Sequence, residues 1–373
     1  MTTPATSSAA TSSALPTLVR IVGTGLVGTS IGLALRRRGV DVVLSDPSPT
    51  AQALASDLGA GRLASSDDQP DLVVVAAPPD VVAEVVAAEL AANAQAVVTD
   101  VASVKAGPLD TLRHNGSDLS RYVGGHPLAG RERSGAISAR ADLFVGRPWV
   151  LTPTEESRSD ALRAVRTMAE ELGATVSVMT ADEHDAAVAV VSHLPQVAAS
   201  LVAARLRDLP ERAVALAGQG IRDVTRIAAS DPALWTQILA GNSASVVRAL
   251  REVATDLTHL VRALDALNEG TPAGSRATIA ALVASGNEGQ ARIPGKHGSA
   301  PASYARVMVL VPDRPGELAR LLHHVGEAEV NLEDLRLEHS EGQPVGLAEI
   351  AVVPAAEQRL VAALTERGWN VQA

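Results

Sequence analysis

A β-branched run ending at Val22 leads directly into Gly23-Thr24-Gly25-Leu26-Val27-Gly28, and Thr29-Ser30-Ile31-Gly32 continues with helical character. Few features restrict a fold more than G-x-G-x-x-G placed between a strand and a helix. The first glycine permits a tight turn. The second lets a pyrophosphate approach the backbone, and the third lets helix and strand pack closely. The helix N-terminus then offers unpaired N–H groups and a positive dipole end to phosphates. Asp46 lies 18 residues past Gly28, at the end of the next apolar run. A carboxylate there accepts hydrogen bonds from ribose hydroxyls and repels a 2′-phosphate, which favours NAD over NADP. Ala77 and Pro78 end a third run with small or rigid residues that leave room beside a bound cofactor.

Up to residue 180 the pattern alternates short apolar runs with helical stretches. Strands are expected at 18–22, 41–45, 71–76, 96–99, 121–124, 149–152 and 175–178. Several are continuous apolar runs, as strands buried on both faces of a parallel sheet require. The expected fold class is therefore α/β, a Rossmann-type doubly wound sheet over 18–180. Residues 1–17, rich in Ser, Thr and Ala, read as a disordered tail. From 181 to 285 strand signals vanish and Ala/Leu/Val/Arg stretches at helical spacing predict an all-helical domain that pairs across a dimer axis. Residues 286–303 are rich in Gly, Pro and Ser and read as a linker. Over 304–373 the order strand (305–311), helix (316–327), strand (331–338), strand (345–352), helix (355–366), strand (369–371) predicts a ferredoxin-like βαββαβ unit.

Composition narrows the function. The 373 residues suit two or three domains. With no cysteine, disulfides, thiolate nucleophiles and Cys-ligated zinc are ruled out, and no metal site is expected. A net charge of −10 argues against a nucleic-acid partner. No apolar run is expected to reach the roughly 18 residues of a membrane span, and the N-terminus lacks the basic and apolar regions of a secretory signal. The expected location is the cytoplasm.

Four polar segments stand where structure alone would favour apolar residues. Thr99-Asp100-Val101-Ala102-Ser103-Val104-Lys105 and Gly124-Gly125-His126-Pro127 fall at strand ends, where open α/β sheets bind ligands. In Ser192-His193-Leu194-Pro195-Gln196, His193 and Gln196 share a helix face, and the proline is expected to kink the helix. Asp223 and Arg226 are also three apart, with Trp235 after a break; such a pair is either a salt bridge or part of a site.

Together, GTGLVGTSIG, DVASVK, HPLAG, SHLP and RDVTRIAASDPALW resemble the prephenate/arogenate dehydrogenase family in order and spacing across about 350 residues. The segment from Pro312 to Leu318, with Asn331-Leu332-Glu333 after it, resembles an ACT domain. The resemblance implies NAD-dependent oxidative decarboxylation of prephenate to 4-hydroxyphenylpyruvate, on the way to tyrosine, with arogenate as the alternative substrate. It implies that His126 is the base for the ring hydroxyl, that Ser103 bonds that histidine or hydroxyl, and that Arg226 holds a substrate carboxylate. Glu132, His193, Asp223 and Trp235 match pocket or gate positions. Gln196 stands where relatives often carry histidine, facing the end at which the keto acid prephenate and the amino acid arogenate differ. The ACT resemblance implies an amino-acid effector, with tyrosine the natural candidate, at Asp313, Pro315, Gly316 and Asn331. Two further readings are a 3-hydroxyacid dehydrogenase, which would need a lysine in the helical domain where none occurs, and a non-catalytic amino-acid sensor.

Overall fold

The computed structural model describes residues 15–129, 135–271, 273–294, 304–339 and 344–372. It divides into two units, 1–252 and 253–373, with the division inside one long helix.

The first unit is built on an eight-stranded sheet. Its elements run β1 (Leu18–Val22), α1 (Leu26–Arg36), β2 (Asp41–Ser45), α2 (Pro49–Asp57), β3 (Arg62–Leu63), β4 (Leu72–Val75), α3 (Val82–Ala92), β5 (Val97–Asp100), α4 (Ala106–His114), β6 (Tyr122–Pro127), β7 (Pro148–Pro153), α5 (Ser159–Glu171) and β8 (Thr175–Val178). The spatial order is β3-β2-β1-β4-β5-β6-β7-β8. Neighbours are parallel except β6 and β7, which pair antiparallel with His126 opposite Val150. The doubly wound sheet expected is thus present, parallel except at this one pairing. The fifth expected strand, 121–124, is corrected to Tyr122–Pro127, because pairing with β7 carries it through His126 and Pro127. Strand β3 was not expected at all; two residues are too few to show a period. Strands β4 and β5 are buried at every position. This is the outcome of covering both faces with helices, and it explains their unbroken apolar runs. The reversal of strand order between β1 and β4 opens a crevice at their carboxyl ends. Of the expected tail, residues 1–14 lie outside the described residues, while the amides of Thr17 and Leu18 donate to the Asp71 carboxylate at 2.8 and 3.0 Å.

After β8 the chain becomes helical: α6 (Ala181–Val188), a π-helical turn (Ala189–His193), α7 (Leu194–Ala204), α8 (Glu211–Val214), α9 (Gln219–Thr225), α10 (Pro232–Gly241), α11 (Ser243–Asn268) and α12 (Ser275–Gln290). Helix α12 corrects the linker reading for 286–290, which are helical; 295–303 lie outside the described residues. The expected kink at Pro195 is a π turn just before it, with the proline taking a first-turn position in α7, where its missing N–H costs nothing. Ala181–Ala204 forms one helical stretch of 24 residues that contains an 18-residue window of mean hydropathy 1.6, long and apolar enough to cross a membrane. That corrects the expectation that no such run exists. The run nevertheless contains His184, Asp185, His193 and Gln196, all buried against protein groups, as a helix serving a polar site must be.

The second unit ends in β9 (Ala305–Pro312), α13 (Glu317–Glu327), β10 (Asp334–His339), β11 (Val345–Val352), α14 (Glu357–Glu366) and β12 (Asn370–Gln372). The order β10-β11-β9-β12, all antiparallel, is the ferredoxin-like arrangement of the βαββαβ plan. Its aliphatic core includes Val307, Val309, Leu321, Ile350 and Leu360.

One buried ion pair shapes the loop between β5 and α4. Lys105, 1 % exposed, bonds the Asp100 carboxylate through Nζ. Tyr122 donates its hydroxyl to the same carboxylate at 2.7 Å, and Ala102 N donates at 2.8 Å. Burial and this carboxylate push the Tyr122 phenol well above its ordinary range, so it remains a donor. Removing the cation would strand a desolvated carboxylate. Lys105→Met is therefore expected to lower unfolding stability by roughly 3–5 kcal/mol, read by urea denaturation. A wild-type midpoint would mean that the pair is dispensable.

Candidate active site

Two adjoining sets of residues form the site, and the glycine turn sets the first. Gly23 has φ +101°, and a Cβ there would meet Ala76 O at 2.3 Å; a Cβ on Gly28 would meet Gly23 O at 2.0 Å. Only glycine permits this packing of β1, α1 and β4. A Cβ on Gly25 would meet nothing within 4 Å, so open space lies above the helix start. Gly25 caps α1 without a side-chain bond, and the first helical bond is Thr29 N to Gly25 O. The amides of Leu26, Val27 and Gly28 are thereby left for an anion. Asp46 accepts from Thr24 N (2.7 Å) and Thr24 Oγ1 (2.9 Å) through Oδ2, and from Ser48 N (2.8 Å) through Oδ1. These bonds aim the carboxylate across the turn, and Oδ1 keeps a lone pair for a ribose hydroxyl. Ala77 and Pro78 follow β4, with Pro78 O accepting the amides that start α3. The crevice thus fits a dinucleotide.

The second set lines a cavity of about 1070 Å³. Ser103, His126, His193, Gln196, Arg226 and Trp235, from five separate stretches of chain, all border it. Asp223 does not. It accepts from Gln219 Nε2 at 2.8 Å on the exposed side of α9, while Arg226 begins the next, 3-10, turn. Glu132 lies outside the described residues.

The cavity depends on two residues the sequence reading passed over. His126 Nδ1 lies 2.8 Å from His184 Nε2, and His184 Nδ1 lies 2.8 Å from Asp185 Oδ1. The Asp185 carboxylate also accepts from Lys105 N and Ala106 N, both at 2.9 Å, at the start of α4. A carboxylate accepting from main-chain amides also accepts from His184, so the proton of His184 sits on Nδ1. With that nitrogen as its one donor, His184 accepts at Nε2, and His126 donates from Nδ1. The lone pair of His126 is left on Nε2. Burial, His184, Lys105 and His193 hold the His126 imidazole well below its ordinary range. His126 is therefore a neutral base whose free nitrogen is set by a chain of two further residues.

The family model for the prephenate dehydrogenase nucleotide-binding domain matches residues 31–178, and that for the prephenate dehydrogenase dimerization domain matches 180–272. A probable prephenate dehydrogenase from Streptomyces niveus is 38 % identical over 353 residues, covering 94 % of this chain and 98 % of the relative. The chain belongs to the prephenate dehydrogenase family. A cyclohexadienyl dehydrogenase of Zymomonas mobilis is 31 % identical, over 66 % of this chain and 88 % of its own. Among solved structures, A. aeolicus prephenate dehydrogenase in complex with hydroxyphenyl propionate and NAD+ superposes with TM-score 0.63 at 30 % identity, covering 73 % of this chain and 99 % of that one. Synechocystis arogenate dehydrogenase gives 0.60 at 27 % identity, covering 73 % and 98 %. Membership makes the chain an NAD-dependent oxidoreductase, and the crevice at Gly23–Gly28 has the form its cofactor needs.

A histidine serving as the base acts only when neutral, and the lowered proton affinity of His126 extends its neutral form to lower pH. The acid limb of kcat/KM is accordingly expected below the ordinary imidazole value of 6.5; a limb at or above that value would remove His126 as the base. In Asp185→Asn the amide can turn its NH2 toward His184, reversing both tautomers. Turnover is then expected to fall by roughly 10²–10⁴-fold while NAD affinity is kept. Unaltered turnover would show that the chain behind His126 is idle.

Proposed function

We propose that the protein catalyses NAD-dependent oxidative decarboxylation of prephenate to 4-hydroxyphenylpyruvate. The observation that carries this reading is His126, neutral and with Nε2 open, in one cavity with Ser103 and Arg226. His126 Nε2 takes the proton of the ring hydroxyl. The carbon bearing that hydroxyl loses its hydrogen with two electrons. NAD, when bound, supplies the two-electron acceptor. The bond from the ring to its carboxylate breaks, carbon dioxide departs, the electron pair completes the aromatic ring, and the ring oxygen takes its proton back from His126. Ser103 orients the hydroxyl beside His126. Arg226 holds a carboxylate with its planar fork of donors. Gln196, His193 and Trp235 bound the rest of the substrate, with Glu132 as a pocket or gate residue.

The runner-up substrate is arogenate, supported by the Zymomonas and Synechocystis relatives. The two differ where Gln196 stands, as a keto group or an ammonium. Gln196 is uncharged and lies 3.4 Å from both Ser200 Oγ and Ser230 Oγ. It therefore offers no counter-ion to an ammonium, which favours prephenate.

Residues 18–180 are read as the NAD domain, 181–285 as the substrate and dimerisation domain, and 304–373 as an ACT domain. Dimerisation is supported by the matched family model and by exposed apolar residues at helical spacing along α11, Val253, Leu257, Val261 and Leu264. An amino-acid effector, tyrosine first, would meet the turn before α13. There Gly316 has φ +90°, next to Asp313 and Pro315, with Asn331 bonded to Glu333. The family's biosynthetic role favours a cytoplasmic location.

The test is NADH production by the purified protein with prephenate and with arogenate, each with and without tyrosine. Activity on prephenate is expected, with Arg226→Ala raising KM by roughly tenfold or more, as losing a charge-assisted bond does. Activity on arogenate alone would reverse the substrate. Activity on neither would leave a non-catalytic sensor, and an absence of any tyrosine effect would count against the effector reading.

A further inference from the structure

A second imidazole in the cavity also has its proton placed by the fold. Asn242, 4 % exposed, lies between α10 and α11. Its Nδ2 donates to the main-chain oxygen of Asp185 at 2.7 Å and lies 3.3 Å from His193 Nδ1. A peptide oxygen can only accept, so the amide nitrogen must face it; the opposite orientation would press two acceptors together. The nitrogen carries two hydrogens, and one bond uses one of them. The other is directed at His193 Nδ1, which must accept it. A neutral imidazole that accepts at Nδ1 carries its proton on Nε2.

We propose that Asn242 is a positioning residue that locks His193 as the Nε2–H tautomer, so that substrate meets one imidazole that donates, His193, and one that accepts, His126. The proposal rests on the reading above that this cavity holds the substrate. The two histidines reach opposite states by different routes. His126 is set by a carboxylate through His184, and His193 by an amide. His193, 2 % exposed, stands edge-to-face to Trp235 at 6.0 Å and lines the cavity one helical turn before Gln196. Its donor therefore serves an oxygen, carboxylate or keto, at the side-chain end of the substrate. Protonation of His193 would set an N–H against the N–H of Asn242. Burial and His184 also oppose that charge, while Asp185 favours it, and the balance keeps the ring neutral. Were both rings of one tautomer, the cavity would hold two bases or two donors, and one of the two tasks would go unserved.

The test is ¹⁵N NMR of the full chain labelled at its nine histidines, with His193 assigned by the signal lost in His193→Gln. The wild type is expected to show a protonated Nε2 and a bare Nδ1 at neutral pH. In Asn242→Asp the carboxylate accepts instead, the proton moves to Nδ1, and KM for the substrate rises about tenfold to a hundredfold with a smaller change in kcat. Asn242→Ala, which places no charge beside the Asp185 carbonyl, is expected to show both tautomers and an intermediate KM; it serves if the aspartate variant does not fold. A proton on Nδ1 in the wild type, or the wild-type tautomer in both variants, would overturn the lock. A changed tautomer with an unchanged KM would overturn the donor role. The NMR readout needs neither substrate nor turnover, so the lock can fail while the proposed reaction stands, and the reverse.

Discussion

The carboxylate of Asp185 joins the two halves of the catalytic unit. It reaches from α6 to the first amides of α4 and simultaneously holds His184. A carboxylate this buried would be costly without partners. Here three donors compensate it, two of them at a helix N-terminus where negative charge is favoured. The same bonds dock the helical segment against the loop that carries Ser103. One electrostatic requirement therefore sets the distance between the sheet, which brings His126, and the helices, which bring His193, Gln196 and Arg226. The main-chain oxygen of Asp185 holds Asn242 in turn, so the peptide and the side chain of one residue fix the tautomers of two different histidines.

Legibility in the sequence followed the range of the forces involved. Strands β4 and β5 were visible because burial on both faces leaves no polar position. The glycine turn was visible because each glycine answers a steric demand met within a few residues or by the adjacent strand. The antiparallel pairing of β6 with β7 was not, since an apolar run looks the same in either direction. His184 and Asp185 were missed for a related reason. They sit in Ala181–Val188 beside Asp182 and Glu183, behind a capping box at Thr180, in the pattern common to acidic helix starts. Their partners are 58 and 80 positions away. Asn242 ends α10, and its second task appears only when Asp185 and His193 are brought to it. Asp223 failed in the opposite way. The spacing to Arg226 was right for one helix face, but the helix tightens at Arg226 and the two part.

The division of labour in the cavity follows from the charges. Prephenate carries two carboxylates, so affinity calls for a cation, the task proposed for Arg226 at the cavity edge. Cations at the reacting centre would instead work against the chemistry. A charged His126 could accept no proton, and a charged His193 would grip a carboxylate equally in the ground state and the transition state, which tightens binding without hastening the reaction. Both imidazoles are held below their ordinary range, chiefly by burial. Each remains neutral because the group on its inner side, His184 or Asn242, is satisfied by a neutral ring. The buried Lys105 lies near enough to oppose charge on His126, yet its own charge is spent on Asp100. The fold thus keeps its one lysine in this unit out of the reaction and leaves proton transfer to a neutral pair, where small changes in hydrogen bonding, rather than net charge, decide which oxygen is bound and which is deprotonated.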